Sequence, residues 1–236
     1  MYTLVWEENF EKDGMLNRNE WEYFEGCPHP EAELEYYQVE NEENTFIKNN
    51  KLTIRAQKKD IGNFEYTSAK IRTKRSWKYG KFEIRAKLPL GKGTWPAIWL
   101  MPEGYREDEW PECGEIDIME HLAQKLGIVH FSVHSSKYNW IKGNDRTKVY
   151  DIKERVYQYN TYTMIWTKKS IEMMVNNKLC FKEVVNDKTI ETWPFDKEYY
   201  LILNLAIGGW GGAVDMNVCW PQDFIIDYIK VFQETM

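Results

Sequence analysis

The stretch KFEIRAKL, residues 81–88, alternates without a break between charged and apolar side chains. Successive side chains of a β-strand point to opposite faces, so a period of two separates the two kinds of residue. The apolar face of this segment carries Phe82, Ile84, Ala86 and Leu88. The pattern is typical of a half-buried antiparallel strand, with its apolar face on a core and its charged face in water.

Comparable segments continue along the chain. SAKIRTK (68–74) alternates in the same way, and YTMIWTKKSIEMMVNNKLCFKEV (162–184) reads as successive strands with a turn at Asn-Asn (176–177). YYLILNLAIGG (199–209) is nearly all apolar, which is typical of a central strand. DFIIDYIKVFQ (223–233) adds a strand near the end of the sequence.

Many short strands in one unbroken unit favour two sheets that bury their apolar faces against each other. Helical periodicity is scarce, and its best candidate is a short turn at residues 151–155. A chain of 236 residues, 43% of them hydrophobic, is long enough for one sizeable core. We therefore predict an all-β fold, a β-jelly roll sandwich of two antiparallel sheets, formed as a single domain by residues 1–236.

The formal charge of −6 is spread along the chain rather than gathered in blocks. The absence of a basic stripe disfavours a nucleic-acid partner, and the absence of a long apolar run disfavours a membrane span. The first ten residues, MYTLVWEENF, lack the basic and apolar segments of a secretory signal peptide. Because such a segment is removed on export, this observation does not indicate a cytosolic protein.

The four cysteines contain no C-x-x-C pair, which disfavours a zinc site. They are Cys27, Cys113, Cys180 and Cys219. Four cysteines allow three pairings, and the sequence does not choose among them. Because free cysteine is among the most buried residue types, we expect four free, mostly buried thiols, with one disulfide as the main alternative.

The stretch GEIDIMEH, residues 114–121, combines a strand-like apolar pattern with three acids. In a regular strand Glu115 and Asp117 share one face, while Glu120 lies on the other face with the two isoleucines. Such a strand buries at least one acid in the core. A β-bulge between Asp117 and Glu120 shifts the alternation by one residue. We therefore predict a bulge there, with all three acids on one face and the isoleucines pointing inward.

Clustered carboxylates usually serve a hard metal ion or acid–base chemistry. Calcium prefers six to eight oxygen ligands from a flexible loop, which a stiff strand with interspersed isoleucines provides poorly. Hydrolysis of a glycosidic bond needs two carboxyl groups, about 5–5.5 Å apart for retention of the anomeric configuration and about 6.5–9.5 Å apart for inversion. A bent strand makes the shorter separation feasible for Glu115 and Glu120, although the spacing alone does not decide. A solvated acidic edge strand is disfavoured by the nearby glycine and tryptophans.

WPECGEIDIMEH (110–121) closely resembles the Glu-x-Asp-x-x-Glu signature of glycoside hydrolase family 16, the laminarinase and lichenase group. The similarity extends over nearly the whole chain. Upstream it includes LVWEENF and YGKFEIRAKLPLGKGTWPAIWLMP, and downstream it includes VHFSVHSSKYN, LILNLAIGGWGG and IDYIKVFQ. The resemblance implies a jelly roll with a substrate cleft across its concave sheet, and a double displacement that retains the anomeric configuration.

By position in this motif, Glu115 resembles the nucleophile, Glu120 the general acid/base and Asp117 the assisting acid between them. The resemblance also implies that catalysis needs no cofactor. It points to an endo-hydrolase of internal β-1,3 linkages in laminarin-type glucans, with mixed-linkage β-glucans as further substrates. A mixed-linkage β-1,3-1,4-glucanase, a glucan transglycosylase and a non-catalytic glucan-binding module are the alternatives. We expect a secreted monomer whose partner is a β-glucan polysaccharide or oligosaccharide.

Tryptophans surround the acids in the sequence and suit a sugar-binding cleft. Trp95 and Trp99 share one face of TWPAIW at period two, Trp110 precedes the acidic strand, and Trp210 lies in the glycine-rich GGWGG. Their flat rings offer apolar area to the C–H faces of sugars, together with a polar edge. We expect all four to contact substrate, with burial in the core as the alternative, most of all for Trp99.

His130 and His134 are four residues apart, as in metal-binding helices. In a strand this spacing is about 13 Å, which is too far for one zinc ion to reach both. The resemblance instead implies that His134 lies in the cleft and hydrogen-bonds substrate or Glu120, with a purely structural partner as the alternative. Lys70, where the family commonly has arginine, and Arg72 are further candidates for substrate contact.

Family members often carry a structural calcium, held by backbone carbonyls near the N-terminus and by a carboxylate on the last strand. The resemblance makes Asp227, in IDYIKVF, the candidate carboxylate ligand of a structural Ca²⁺. The N-terminal match is poorer, because Asn9 stands in EENF where the family usually has an acid. Hydrogen bonding of Asp227 to nearby backbone is the alternative.

Overall fold

β-Strands make up nearly all of the regular structure in the computed structural model, which describes residues 1–235. In chain order the strands are β1 (Tyr2–Glu8), β2 (Trp21–Tyr23), β3 (Glu35–Tyr37), β4 (Thr45–Ile47), β5 (Leu52–Ile61), β6 (Phe64–Ser68), β7 (Lys70–Trp77), β8 (Gly80–Lys87), β9 (Thr94–Pro102), β10 (Glu115–His121), β11 (Ile128–His134), β12 (Arg146–Asp151), β13 (Asn160–Trp166), β14 (Ser170–Val175), β15 (Lys178–Val184), β16 (Tyr199–Ile207) and β17 (Gln222–Glu234). The helices of this part of the chain are short 3₁₀ turns at Glu107–Glu109, Ala123–Lys125, Trp140–Lys142, Lys153–Tyr157 and Gly209–Gly211. None of them has the length and apolar character that crossing a membrane requires.

The strands form two sheets. One contains ten strands along the path β15-β14-β13-β8-β17-β5-β6-β3, with β1 paired to β17 and β4 paired to β5. The other contains seven strands in the order β12-β11-β10-β9-β16-β7-β2. Among the described residues, strand pairs are antiparallel except for β3 and β6, which run parallel. The predicted sandwich of two antiparallel sheets is therefore confirmed, with one short parallel pair at β3 and β6.

The core lies between the two sheets. KFEIRAKL falls in and just beyond β8, whose burial alternates residue by residue, and Phe82, Ile84 and Ala86 are fully buried. Ile116 and Ile118 of β10 enter the same core from the facing sheet. Removing each large apolar side chain from water contributes roughly 1.5–3 kcal/mol. The N-terminal segment adds Trp6, Phe10 and Leu16.

Two local predictions are confirmed. β14 and β15 are joined by Asn176 and Asn177, whose φ angles of 49° and 66° are both positive, as a two-residue hairpin turn of type I′ requires. The helical turn expected at residues 151–155 is present, shifted slightly to Lys153–Tyr157. Asparagine tolerates positive φ better than most residues, so the turn at Asn176 and Asn177 could be predicted from the sequence.

All four cysteines are free, as predicted, but the expectation that most are buried is wrong. Cys113 is buried, Cys27 and Cys180 are half-buried, and Cys219 is exposed. Cys180 lies on β15, which is an edge strand with mostly exposed residues, and Cys219 lies in the connection between β16 and β17. The exposure of each cysteine side chain therefore depends on the position of its strand or loop rather than on the chemistry of the thiol.

Candidate active site

Strand β10 carries the predicted bulge. Between the pairs Asp117–Ser132 and Glu120–His130, β10 has two residues where β11 has one. The pairing with β9 shifts at the same place, and both residues of the bulge are fully buried in the core. Two consecutive side chains therefore point inward. As a result Glu115, Asp117 and Glu120 all lie on the outer face of the seven-stranded sheet.

Gly114 sets the start of this strand. Its φ is +82°, a backbone conformation that glycine adopts readily and other residues rarely adopt. A Cβ atom at this position would lie 2.6 Å from Pro194 Cγ and 2.6 Å from the Tyr199 hydroxyl oxygen. That hydroxyl donates to the carbonyl oxygen of Cys113 at 3.1 Å, which fixes the backbone just before Glu115.

Each glutamate accepts a hydrogen bond from an indole. Trp95 Nε1 on β9 donates to Glu120 Oε1 at 3.0 Å. Trp110 Nε1, from the segment before β10, donates to Glu115 Oε2 at 2.9 Å. Both indole rings are half-buried. These bonds fix the direction of the two carboxyl groups, and each bond favours the ionised form of the glutamate that accepts it.

Asp117 has a different partner. His134 Nε2 lies 3.3 Å from Asp117 Oδ2, and both side chains are buried. Asp117 also shares a hydrogen bond with Glu115. His134 is therefore in the candidate site, as predicted, but it lies beside Asp117, whereas the predicted partner Glu120 is bonded by Trp95.

His130 occupies another part of the site. It pairs with Glu120, whereas His134 pairs with Glu115 at the other end of the three acids. The His130 ring packs edge-on against Trp210 with centroids 4.7 Å apart. β11 is a regular strand between the two histidines, so the spacing that disfavours a shared zinc ion is retained.

Burial raises the pKa values of all three acids. It raises the pKa of Asp117 to about 7. It raises the pKa of Glu115 to about 8, with the charge of Asp117 as the second cause. The pKa of Glu120 is well above its usual range, because of burial first and the charges of Asp117 and Glu115 next. The raised pKa favours the protonated form of Glu120, which is the form that a general acid requires.

Metal chemistry is another use for part of this cluster. Ligand atoms of Glu115, Asp117 and His134 lie within 4.8 Å of one another. Two carboxylates and an imidazole are donors that a divalent cation can accept. The geometry alone thus suits both a metal ion and acid–base chemistry.

The four predicted tryptophans lie outside the main core. Trp99 Nε1 donates to Asn204 Oδ1 at 2.8 Å, and its ring packs on a small separate apolar cluster. Trp210 is 44% exposed and meets Trp95 edge-on, with ring centroids 5.8 Å apart. Burial in the core, which was the alternative for Trp99, is therefore not what the structure shows. Half-exposed rings on both sides of the acids leave indole surface available for a ligand.

Lys70 and Arg72 lie on β7, three strand spacings from β10, or about 14 Å. Lys70 Nζ is 4.8 Å from the centre of the Trp99 ring. Arg72 forms an ion pair with Glu22 at 2.5 Å, and its guanidinium lies 4.5 Å from the centre of the Tyr200 ring. The structure brings both residues to the neighbourhood of the site, but not to the acids themselves.

Sequence reasoning missed several residues here. Asn204 Nδ2 donates to the Tyr37 hydroxyl oxygen at 3.1 Å, which extends the hydrogen bonds of Trp99 into the protein. A polar residue inside the apolar YYLILNLAIGG was an available signal. Trp140, an aromatic residue in the polar loop after β11, lies 5.7 Å from Trp110, ring centre to ring centre. Its sequence context gave no periodicity from which to place it.

Asp227, the candidate calcium ligand, lies on β17 in the other sheet. Lys51 Nζ is 2.9 Å from its Oδ1, and Arg85 forms an ion pair with its Oδ2. Both cations also lie over the ring of Tyr159. Two positive side chains thus occupy both carboxylate oxygens, so these residues do not fit a divalent cation. The alternative prediction, hydrogen bonding of Asp227 to nearby backbone, is not seen among the described residues either.

Comparison with known proteins places these features in a family. The family model described as glycosyl hydrolases family 16 matches residues 33–230. A β-glucanase of Rhodothermus marinus is 36% identical over 244 residues, covering 98% of this chain and 85% of that protein. A keratan-sulfate endo-1,4-β-galactosidase of Sphingobacterium multivorum is 33% identical over 239 residues, covering 98% of this chain and 55% of that protein. The X-ray structure of the laminarinase from Rhodothermus marinus matches with a TM-score of 0.94 at 34% identity, covering 100% of this chain and 99% of that one.

The family match spans most of the chain, and the structural match spans all of it. Glucanases of this family need no cofactor for catalysis, which favours acid–base chemistry in the carboxylate cluster. The predicted jelly roll is confirmed by the same structural match. The chain belongs to glycosyl hydrolases family 16 and is a glycoside hydrolase.

Proposed function

We propose that the chain is a retaining endo-hydrolase of internal β-1,3 linkages in laminarin-type glucans, and also of mixed-linkage β-glucans. The observation that carries the proposal is the bulged strand β10, which presents Glu115, Asp117 and Glu120 on one face. The similarity to a β-glucanase and to a laminarinase supports a β-glucan as substrate.

In the proposed reaction Glu115 attacks the anomeric carbon while Glu120 protonates the glycosidic oxygen, so that a covalent glycosyl-enzyme forms and the leaving sugar departs. Glu120 then removes a proton from water, which attacks the same carbon and releases Glu115. Retention follows from two successive inversions at one carbon.

Glu115 must be ionised before it attacks. Asp117 shares a hydrogen bond with Glu115 and can accept the Glu115 proton. The pKa of Glu115 is raised to about 8 and that of Asp117 to about 7. Because the pKa of Glu115 is the higher of the two, moving its proton to Asp117 costs a small amount of free energy. The indole N–H of Trp110 supports the resulting carboxylate on Glu115, while that of Trp95 directs Glu120. We assign Asp117 this proton-holding role.

Substrate binding is proposed to use the indoles around the acids. Sugar rings would stack on Trp95, Trp99, Trp110 and Trp210. His134 would contact the sugar next to the acids, and Lys70 and Arg72 would contact sugars farther along the outer face. Stacking on half-exposed indoles and hydrogen bonds to sugar hydroxyls suit a polymer of glucose.

The other functions remain distinguishable by experiment. A non-catalytic glucan-binding module has no need for three crowded carboxyl groups, two of them buried and one half-buried, whose raised pKa values indicate a cost to the fold. A transglycosylase would use the same covalent intermediate, with a sugar in place of water. Product analysis at high oligosaccharide concentration separates hydrolysis, which shortens the chains, from transfer, which also lengthens some of them.

The substrate is tested with a panel of laminarin, barley glucan, lichenan, cellulose, agarose and keratan sulfate, with products sized over time. We expect internal cleavage of laminarin and of the mixed-linkage glucans. Galactans should be poor substrates, because the axial hydroxyl of galactose needs a different set of hydrogen bonds. Keratan sulfate is included because of the galactosidase relative. Activity on agarose or keratan sulfate alone contradicts the glucan assignment, and activity on barley glucan and lichenan alone favours the mixed-linkage alternative.

We also propose that residues 1–236 act as one catalytic domain, since N-terminal residues outside the family match join the same core. A secreted monomer suits a polysaccharide substrate too large to enter a cell. For calcium, we propose that this chain needs none at Asp227, because Lys51 and Arg85 already neutralise the carboxylate.

A further inference from the structure

Trp140 is the most exposed tryptophan among residues 1–235, with 65% of its surface accessible to solvent. It lies on a 3₁₀ turn between β11 and β12, and the adjacent Ile141 is 64% exposed. Single exposed apolar residues are common and need no function. Trp140 differs from such residues because its ring contacts Trp110 and because hydrogen bonds hold the turn that carries it.

The ring of Trp140 continues the surface of Trp110. The two ring centres are 5.7 Å apart and the rings are inclined by 32°, closer to parallel than to edge-on. Trp110 in turn donates to Glu115 at 2.9 Å and lies 5.9 Å from the ring centre of His134. An aromatic surface therefore leads from the acids to the loop between β11 and β12.

The turn that presents Trp140 is firmly held. Asn139 is buried, and its Nδ2 donates to the carbonyl oxygens of Ser135 at 3.0 Å and Ser136 at 3.2 Å. Its Oδ1 accepts from the backbone N–H of Lys142 at 3.1 Å. Gly143, with φ +65°, closes the turn by donating to the Trp140 carbonyl oxygen at 3.0 Å. A ligand that stacks on Trp140 thus loses little free energy to ordering of the protein.

From this arrangement we propose that Trp140 is a further stacking site for a β-glucan, beyond the sugars at Trp110 and on the β11 side of the acids. The proposal rests on the glucanase function proposed above. Continuity with the acid cluster favours a sugar chain as the occupant over a second protein. The site makes affinity depend on chain length, because only an oligosaccharide that extends from the acids to the loop reaches Trp140.

The test compares Trp140→Ala and Trp140→Phe, each in a Glu120→Gln background that prevents hydrolysis. Affinity for laminarin oligosaccharides of increasing length is measured by calorimetry. Trp140→Ala should weaken the binding of long oligosaccharides by about 3- to 10-fold, with a loss that grows with length. Trp140→Phe should recover part of that affinity. Ile190→Ala, which removes a 70% exposed residue in the connection between β15 and β16, serves as the control and should bind every length normally.

The outcomes separate this inference from the function on which it rests. If the unmodified enzyme cleaves laminarin but Trp140→Ala weakens all lengths equally or none, the stacking site is wrong and the glucanase function stands. If the enzyme neither binds nor cleaves laminarin, the glucanase function is wrong, and the proposed stacking site at Trp140 is wrong as well. If ultracentrifugation finds a dimer that Trp140→Ala dissociates while length dependence is unchanged, the occupant is a second copy and the inference is overturned.

Discussion

At the scale of single residues, three carboxyl groups on one strand differ because their neighbours differ. Glu115 and Glu120 each accept an indole N–H, whereas Asp117 lies beside His134 and shares a hydrogen bond with Glu115. Burial raises the pKa of each acid, and that of Glu120 is raised well above its usual range. These surroundings agree with the roles of nucleophile, proton holder and general acid that we propose for Glu115, Asp117 and Glu120.

The first prediction separates catalysis from binding. Glu115→Gln and Glu120→Gln keep the size of the side chain but remove its ability to attack or to donate a proton. We expect losses in kcat of at least about 10²–10⁴-fold, with oligosaccharide affinity and Tm largely retained. Glu109→Gln, at an exposed acid of the preceding segment, is the control. Turnover close to that of the unmodified enzyme in either site variant defeats the assignment.

The second prediction concerns Asp117 and stability. Folding raises its pKa from 3.8 to about 7, so the native state binds this proton more tightly than the unfolded state. The free energy of unfolding therefore falls as pH rises from about 4 to about 7. Asparagine does not titrate, so Asp117→Asn should raise Tm at pH 8 by several degrees relative to the unmodified enzyme, and by less at pH 4.

Thermal melts of both proteins at the two pH values provide the measurement. Asp117→Glu is the matched control, because it keeps a titratable group and so should keep the fall in Tm between pH 4 and pH 8. An Asp117→Asn variant whose Tm falls by as much as that of the unmodified enzyme between these pH values contradicts the assignment of the charge penalty to this residue.

At the scale of elements, the bulge in β10 was predictable because GEIDIMEH conflicts with regular alternation. A regular strand places an acid in the core, and one extra residue resolves that conflict at low cost. The parallel pairing of β3 with β6 was not predictable, since strands of three and five residues carry no signal for direction. The position of Trp140 was also not predictable, because it depends on how a polar loop folds back toward Trp110.

The third prediction concerns the ion pairs of Asp227 on β17 with Arg85 on β8 and with Lys51, which directly precedes β5. Because Lys51 and Arg85 already neutralise this carboxylate, Tm should be the same with a chelator and with millimolar calcium. Lys51→Met should lower Tm by about 2–4 °C, as expected for the loss of roughly 1 kcal/mol from a partly buried ion pair. Lys182→Met, which breaks a more exposed pair with Glu172, should have a smaller effect.

A clear rise in Tm of the unmodified protein on addition of calcium contradicts this account. It indicates that the ion displaces the two side chains and restores the metal site that the family resemblance implies. Calcium stabilisation confined to Lys51→Met agrees with the account, because that change frees one of the two carboxylate oxygens.

At the scale of the whole molecule, one core between two sheets leaves the outer face of the seven-stranded sheet free for chemistry. The alternation of KFEIRAKL and the apolar run of YYLILNLAIGG predicted this sandwich, because the period of side chains reports which face is buried. The sequence also predicted the three acids and four tryptophans as site residues, and the structure places Trp95 and Trp110 within hydrogen-bond distance of Glu120 and Glu115. Contacts between distant segments, such as Tyr37 with Asn204 or Lys51 with Asp227, were not predicted, because they depend on the packing of the whole chain.

The central claim is a double displacement at Glu115 and Glu120, and the anomeric form of the first product tests it most directly. Proton NMR recorded during the earliest cleavage of laminarin, before mutarotation, reads the configuration of the new reducing end. The account predicts the β-anomer, formed by two inversions through a covalent intermediate on Glu115. An initial α-anomer would mean a single displacement by water, and it would contradict the nucleophilic role of Glu115.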